Sequence, residues 1–368
     1  MPFEETHVVD ERRRFVEDYY RSLRSFSELC RRYGISRKTG YKWLNRWEEE
    51  GPAGLESRSS RPRSSPRATS PEVTAAIIDV RLRYPDYGAK KIRWYLERNS
   101  PELELPSRTT IHNIIQREGL VEPRRKRIRR WHPGHAGTEA EEPNGIWSID
   151  FKGEFPTLDG LLCYPLTVQD VFSRYLLSCT SFATIRINDV RPQFVRLFQE
   201  FGLPRRIRSD NGTPFASNSL GRLSRLSVWF VQLGIYPEFI EPGRPYQNGT
   251  HENMHQVLKR RTTKPPSANH EAQDLAFLEF CDEYNHVRPH EALDGKVPAD
   301  LYRHSPRPFP ERLPPIEYPT HFLTPLVSSN AGIRWYNRRV TVSSILAGQY
   351  VGLEEVDLGL FDVYFGPV

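Results

Sequence analysis

The 368-residue chain has only four cysteines, Cys30, Cys163, Cys179 and Cys281, and they are scattered singly. None forms a Cys-x-x-Cys pair or has a histidine at zinc spacing, which excludes a zinc-finger or disulfide framework and suits a reducing compartment. Long apolar runs are also missing. No stretch approaches the roughly 20 apolar residues that cross a bilayer, and the opening MPFEETHVVDERRR has no apolar core of signal-peptide length. These absences lead to the expectation of a cytoplasmic chain with no membrane partner.

What the sequence has in quantity is proline and positive charge. It carries 31 prolines, 27% charged residues, a net charge of +6 and a pI near 9.1, with Arg far outnumbering Lys. A chain of this length divides into several domains. Arginine suits bidentate contacts to phosphate, so nucleic acid is the partner to test against the local pattern.

The expected organisation runs as follows. Residues 1–56 contain SFSELCRRYGISRKTGYKWLNRWEEEG, which has the form of a helix-turn-helix. Ser27 opens one helix, Gly34 makes the turn, and Ser36 caps a second helix. That second helix presents Arg37, Lys38, Tyr41, Lys42 and Arg46 while burying Trp43, Leu44 and Trp47, the layout of a major-groove reader. Residues 57–70 form a Ser/Pro/Arg linker whose Arg58, Arg61 and Arg63 are expected to track phosphates. Residues 71–122 read as a second helix-turn-helix unit, with Ser107 as a cap and Gly119 as a stop. A basic linker, 123–142, follows, in which Arg124, Arg125, Lys126, Arg127, Arg129 and Arg130 are expected to contact the DNA backbone.

From residue 143 to 304 the texture changes to a mixed α/β core with a five-stranded sheet: three strands first, then helix and strand in alternation. In IWSIDFKGEF, Trp147, Ile149 and Phe151 fall on one face, and Ser148, Asp150 and Lys152 on the other. Residues 305–325 form a proline-rich link, and 326–368 supply short strands with Gly turns, enough for a small β-barrel.

Three acids stand out in the core. Asp150 lies mid-strand, Asp210 at the end of the fourth strand in RSDNGTPF, and Glu252 in the first turn of a helix in YQNGTHENMHQVLK. Two of them neighbour an Asn-Gly pair, a sequence that tolerates positive φ and marks a sharp reversal. Neighbouring first and fourth strands would bring the three acids to one sheet edge. Packed carboxylates repel unless a divalent cation neutralises them. Two Mg²⁺ ions, with Mn²⁺ as a substitute, would suit in-line phosphoryl displacement without a nucleotide cofactor. On the helical wheel Glu252, Gln256 and Lys259 share one face, and Gln256, Lys259 and Arg260 are candidates for the DNA backbone.

WSID, SDNGTPF and PYQNGTHENMH, with VQDVFSRYLL and EYNHVRPHEALDGKVPADLY, resemble the retroviral-integrase catalytic core as it occurs in bacterial insertion-sequence transposases, the DDE family. The resemblance spans nearly the whole chain. It implies a ribonuclease-H-like core and Asp150, Asp210 and Glu252 as catalytic, metal-binding residues. It further implies a nucleoid-associated enzyme that binds the inverted-repeat ends of a mobile element as a homo-oligomer, hydrolyses a phosphodiester and joins the 3′-hydroxyl to target DNA. The alternatives are a catalytically idle DNA-binding regulator and a structure-selective nuclease. The chain departs from the family in three ways. The spacing from Asp210 to Glu252 is longer than usual, His251-Glu252-Asn253 stands where many relatives have Val-Glu-Arg, and the retroviral zinc-binding N-terminus is missing. Glu241 is the nearby rival for the third acid. Asp170 and Arg174 are expected to hold a strand turn, and His290 to end a helix.

Overall fold

A computed structural model describes residues 7–21, 24–59, 68–121, 138–151, 153–217, 220–241, 245–335 and 338–368. Arg61, Arg63, Lys152 and the run Arg124, Arg125, Lys126, Arg127, Arg129 and Arg130 lie outside the described residues. The chain forms two compact units, Met1–Thr69 and Ser70–Val368.

The first unit holds α1 (Val8–Arg21), α2 (Phe26–Arg32) and α3 (Arg37–Glu50). The first helix of the pair begins at Phe26, one residue earlier than expected, with Ser25 in the extended conformation before it. Ser36 caps α3 by accepting from the Thr39 N–H, and Gly34 turns the chain at φ 63°. Phe15, Val16, Leu29, Cys30, Trp43, Leu44 and Leu55 form the core. Gly40 leaves room in α3 for close packing, because an added Cβ would lie 2.8 Å from both Cys30 Sγ and the Phe26 ring.

The second unit begins with α4 (Pro71–Arg83), α5 (Ala89–Asn99) and α6 (Arg108–Arg117). Ser70 and Ser107 cap α4 and α6, each accepting from an N–H three residues on. These helices share a core centred on Ile77, Tyr87, Ile92 and Ile111, which Val287 of the catalytic core joins.

The core follows as β1 (Ile146–Phe151), β2 (Phe155–Pro156), β3 (Leu162–Asp170), β4 (Leu176–Phe182), α7 (Ile187–Phe201), β5 (Arg206–Ser209), α8 (Arg225–Gln232), β6 (Tyr236–Phe239), α9 (Gly249–Thr262) and α10 (His270–Asp282). The sheet runs β4-β3-β1-β5-β6, antiparallel through β1 and parallel from β1 to β6, and β2 adds a two-residue rung to β3. The five expected strands are present and the sixth is this short extension. The helix α8 begins at Arg225, where Ser224 and Ser227 form a reciprocal cap.

Helices cover both faces of the sheet. Trp147 and Ile149 pack with Phe194, Phe198 and Phe230 of α7 and α8. Cys163 and Cys179 pack with Met254, Leu258 and Phe277 of α9 and α10. Ser148, expected on a polar face, is therefore buried.

The proline-rich link lies along the core, where Arg307 donates to the Pro204 and Gly234 carbonyls at 2.7 and 2.8 Å. Beyond it, β7 (Gly332–Trp335) pairs with β8 (Arg338–Thr341), and β9 (Gly352–Asp357) with β10 (Leu360–Tyr364), with a single further bridge from Leu353 of β9 to Leu323. Among the described residues these are two separate hairpins and not the closed barrel expected. The physical reason is patterning: every residue of β8 is exposed, so this strand has no inward face to close a barrel around. Val327, Ile333, Val351 and Leu353 pack instead with Val228 and Val231 of α8.

Candidate functional site

The parallel pairing of β1 and β5 matches Ile146 to Arg206, Trp147 to Ile207 and Ser148 to Arg208. Asp150 lies on β1 two residues beyond the last of these pairs, and Asp210 directly follows β5, two residues beyond that pair on its own side. Both acids therefore occupy equivalent positions at the same end of the sheet.

Each acid is held by its own surroundings. The Asp150 carboxylate is partly exposed, and its Oδ2 lies 3.6 Å from His255 Nδ1. Asp210 Oδ1 accepts from the Gly212 N–H at 3.1 Å, and an added Cβ on Gly212 would come 3.0 Å from Asp210 Oδ2. Asn211 donates from Nδ2 to the Ile240 carbonyl at 2.7 Å, tying the ends of β5 and β6 together. None of the four Asn-Gly residues is among the described residues with positive φ, so the expected left-handed reversal is not what the pairs supply. At Asp210 they supply room for the carboxylate and a brace to the next strand. At Asn248-Gly249 they supply the entry to α9, with Asn248 at φ −112° and Gly249 as the first helical residue.

Glu252 is exposed in the first turn of α9, on a face shared with Asn253, Gln256, Lys259 and Arg260. The opposite face buries His251, Met254, His255 and Leu258. This is the division the helical wheel gives. His251 Nδ1 lies 2.6 Å from Ser148 Oγ, and its Nε2 lies 2.6 Å from Thr167 Oγ1. His255 Nε2 reaches the same hydroxyl at 2.7 Å. The start of α9 is thus pinned onto β1 and β3 beside Asp150. Burial pushes the His251 imidazole down to about 3, so the ring stays neutral.

The donor chemistry of the three acids, all hard oxygens, suits Mg²⁺. Among the described residues, however, no three His, Cys, Asp or Glu side chains stand close enough together to hold a metal ion.

Glu241, the rival third acid, follows β6, and Gln247 Nε2 donates to its Oε1 at 3.3 Å. Asp170 is fully buried; its carboxylate accepts from the Ser173 N–H and the Asn144 N–H, both at 2.8 Å. It holds the turn through these groups, while Arg174 Nη1 is buried without a hydrogen-bond partner. His290 packs edge-on against Tyr284, and burial lowers it to about 3.

On α3, Arg37, Lys38, Tyr41 and Lys42 are exposed, and the Arg46 guanidinium and Lys42 ammonium flank the Trp43 ring at 5.2 and 4.8 Å. Arg58 pairs with Glu50. Sequence reasoning missed His251, His255 and Thr167. Two histidines four residues apart on the apolar face of α9 were the available signal. It also missed Arg208, which is buried at the root of the site and bonds Glu238 Oε1 at 2.9 Å.

Residues 11–63 match the helix-turn-helix domain family and 39–115 the homeodomain-like domain family. Residues 140–245 and 233–298 match two integrase core domain families. These matches define a protein with helix-turn-helix DNA-binding domains ahead of an integrase core. An uncharacterized 39.2 kDa protein of insertion element IS476 from Xanthomonas euvesicatoria is 25% identical over 256 residues, covering 67% of this chain and 68% of that protein. The Gag-Pol polyprotein of a baboon endogenous virus is 30% identical over 132 residues, 36% of this chain and 7% of the polyprotein. The HTLV-2 integrase catalytic core domain in complex with magnesium aligns over 45% of this chain and all of that one, at 17% identity and a TM-score of 0.35, too low to carry an argument. The chain thus carries integrase core domains over 140–298, preceded by helix-turn-helix domains, and is similar to a protein of an insertion element. Among the described residues no helix is long and apolar enough to cross a membrane.

Proposed function

We propose that the chain binds the terminal inverted repeats of a mobile DNA element, cuts a phosphodiester at each end and joins the freed 3′-hydroxyl to target DNA. The observation that supports this reading is the parallel β1–β5 pairing, from which Asp150 and Asp210 both follow two residues after the Ser148–Arg208 pair, with α9 bonded to β1 through His251 and Ser148. Asp150, Asp210 and Glu252 would hold Mg²⁺, with Mn²⁺ as an alternative; the exposed Glu252 side chain closes the set as DNA arrives. When bound, the ions neutralise the carboxylates, activate the attacking oxygen and stabilise the leaving one. The Asp210 carboxylate is pre-oriented by the Gly212 N–H, and Asn211 keeps its strand end from drifting.

Arg37, Lys38, Tyr41 and Lys42 of α3 would enter the major groove, and Gln256, Lys259 and Arg260 would meet the backbone near the cut. Residues 1–56 and 71–122 serve as DNA-binding units on this reading, and 143–304 as the catalytic core. Two element ends must be processed together, so the working form is a homo-oligomer on DNA.

An assay with Mg²⁺ and labelled element ends tests the proposal. Joined products support it, cut products alone indicate a nuclease, and a band shift alone indicates a DNA-binding regulator. Asp210→Asn is expected to abolish cutting and leave binding intact; loss of binding would make Asp210 a structural residue.

A further inference from the structure

Thr167 is fully buried, and it is the residue directly across the ladder from Asp150. Its hydroxyl has three neighbours: the Asp150 carbonyl at 3.0 Å, His251 Nε2 at 2.6 Å and His255 Nε2 at 2.7 Å. A hydroxyl has one proton and two lone pairs. The carbonyl can only accept; with the proton directed to Asp150, both imidazoles donate from Nε2. That fixes His251 as the Nε2–H tautomer, and its bare Nδ1 then accepts from Ser148 Oγ at 2.6 Å. Every polar atom of the ring is used, and one threonine hydroxyl links the backbone of the first acid to the helix that bears the third.

We propose that His251, with Thr167 and Ser148, is a positioning residue that sets the start of α9 against β1 and so fixes the separation of Glu252 from Asp150. The inference rests on the catalytic reading above. His251 touches neither DNA nor metal in this role. It acts through its neighbour Glu252, while His255, one turn further on, repeats the contact to Thr167 with its Nδ1 toward Asp150. A valine at position 251 would fill part of the space, but it would leave the Ser148 and Thr167 hydroxyls without these partners.

A purely structural role would be a pair of satisfied core histidines that stabilises the fold and nothing more. The Mg²⁺ requirement separates that role from positioning, and the ring tautomer tests the network on which both depend. Thr167→Val keeps the shape and removes the hydroxyl from the centre of the network. The variant is expected to fold and to bind element-end DNA as the parent does, while the Mg²⁺ concentration for half-maximal cutting rises about 10- to 100-fold. The Mg²⁺-induced rise in melting temperature should shrink in parallel, and this reads metal binding without any cutting. An unchanged Mg²⁺ requirement and an unchanged melting shift would overturn the proposal.

The second readout needs no variant to fold. Long-range proton–nitrogen spectra of histidine-labelled protein are expected to show His251 and His255 protonated at Nε2, and a His251 ring protonated at Nδ1 would overturn the proposal. If the parent chain never cuts DNA, the catalytic reading fails. The melting shift and the tautomer would still judge the positioning role separately.

Discussion

The two helical regions ahead of the sheet have similar sequence signals, yet they are held in opposite ways. Residues 7–59 close on their own apolar core, in which Phe15 meets Tyr33 edge-on at 5.4 Å and Gly40 lets α3 approach α2. The α4–α6 module instead reaches outward to the catalytic core. Asp86 and Arg288 form a pair only 11% and 6% exposed, with Arg288 Nη1 at 2.5 Å from Asp86 Oδ2. Arg98 bonds both oxygens of Asp300 at 2.6 and 3.0 Å, and Gly295 lies so close to Trp94 that a Cβ would come 2.6 Å from its ring. A domain that buries its own apolar face needs no neighbour to complete its core. One that completes its core with Val287 and buries half of an ion pair is part of the body it docks on.

This contrast can be broken most strongly at the buried pair. Arg288→Ala removes the ion-pair partner of the buried Asp86, leaving it only the charges of Arg261 and Lys91, and is expected to lower the stability of the second unit by about 3–5 kcal/mol, read by denaturant unfolding of the full chain. Unfolding unchanged by this substitution would mean that the pair is not what fastens the module. Next in size is Gly40→Ala. Overpacking at the α2–α3 contact is expected to cost about 1–3 kcal/mol, confined to the first unit and visible as weaker DNA binding with unchanged melting of the second. Smallest is Arg98→Ala. The Arg98–Asp300 pair is 47% and 30% exposed, so its loss should cost no more than about 1 kcal/mol, and a double-mutant cycle with Asp300→Ala measures it. An Arg98 effect as large as that of Arg288 would move the anchor to the rim of the interface.

Those anchors also show what the sequence makes legible. The alternation of IWSIDF puts Asp150 on the correct face because a strand's period is local. The wheel of α9 places Glu252 outward and Met254 inward for the same reason. Nothing local says what covers the Ser148 face, because its partner His251 lies 103 residues away, and Asp86 and Arg288 are 202 apart. The Asn-Gly pairs do not supply the left-handed turn expected of them: Asn211 is a brace and Gly212 a gap. The glycine spacing after residue 326 announced hairpins, but whether two hairpins close on each other depends on inward side chains that β8 does not have.

The account turns on three carboxylates converging on metal at the end of the sheet. Anomalous diffraction from the chain bound to element-end DNA and Mn²⁺ tests this most directly. The expected result is manganese density bridging Asp150 and Asp210 with Glu252 turned in to meet it. Manganese bound elsewhere, or the two aspartates loaded with Glu252 outside coordination distance of the metal, would contradict it.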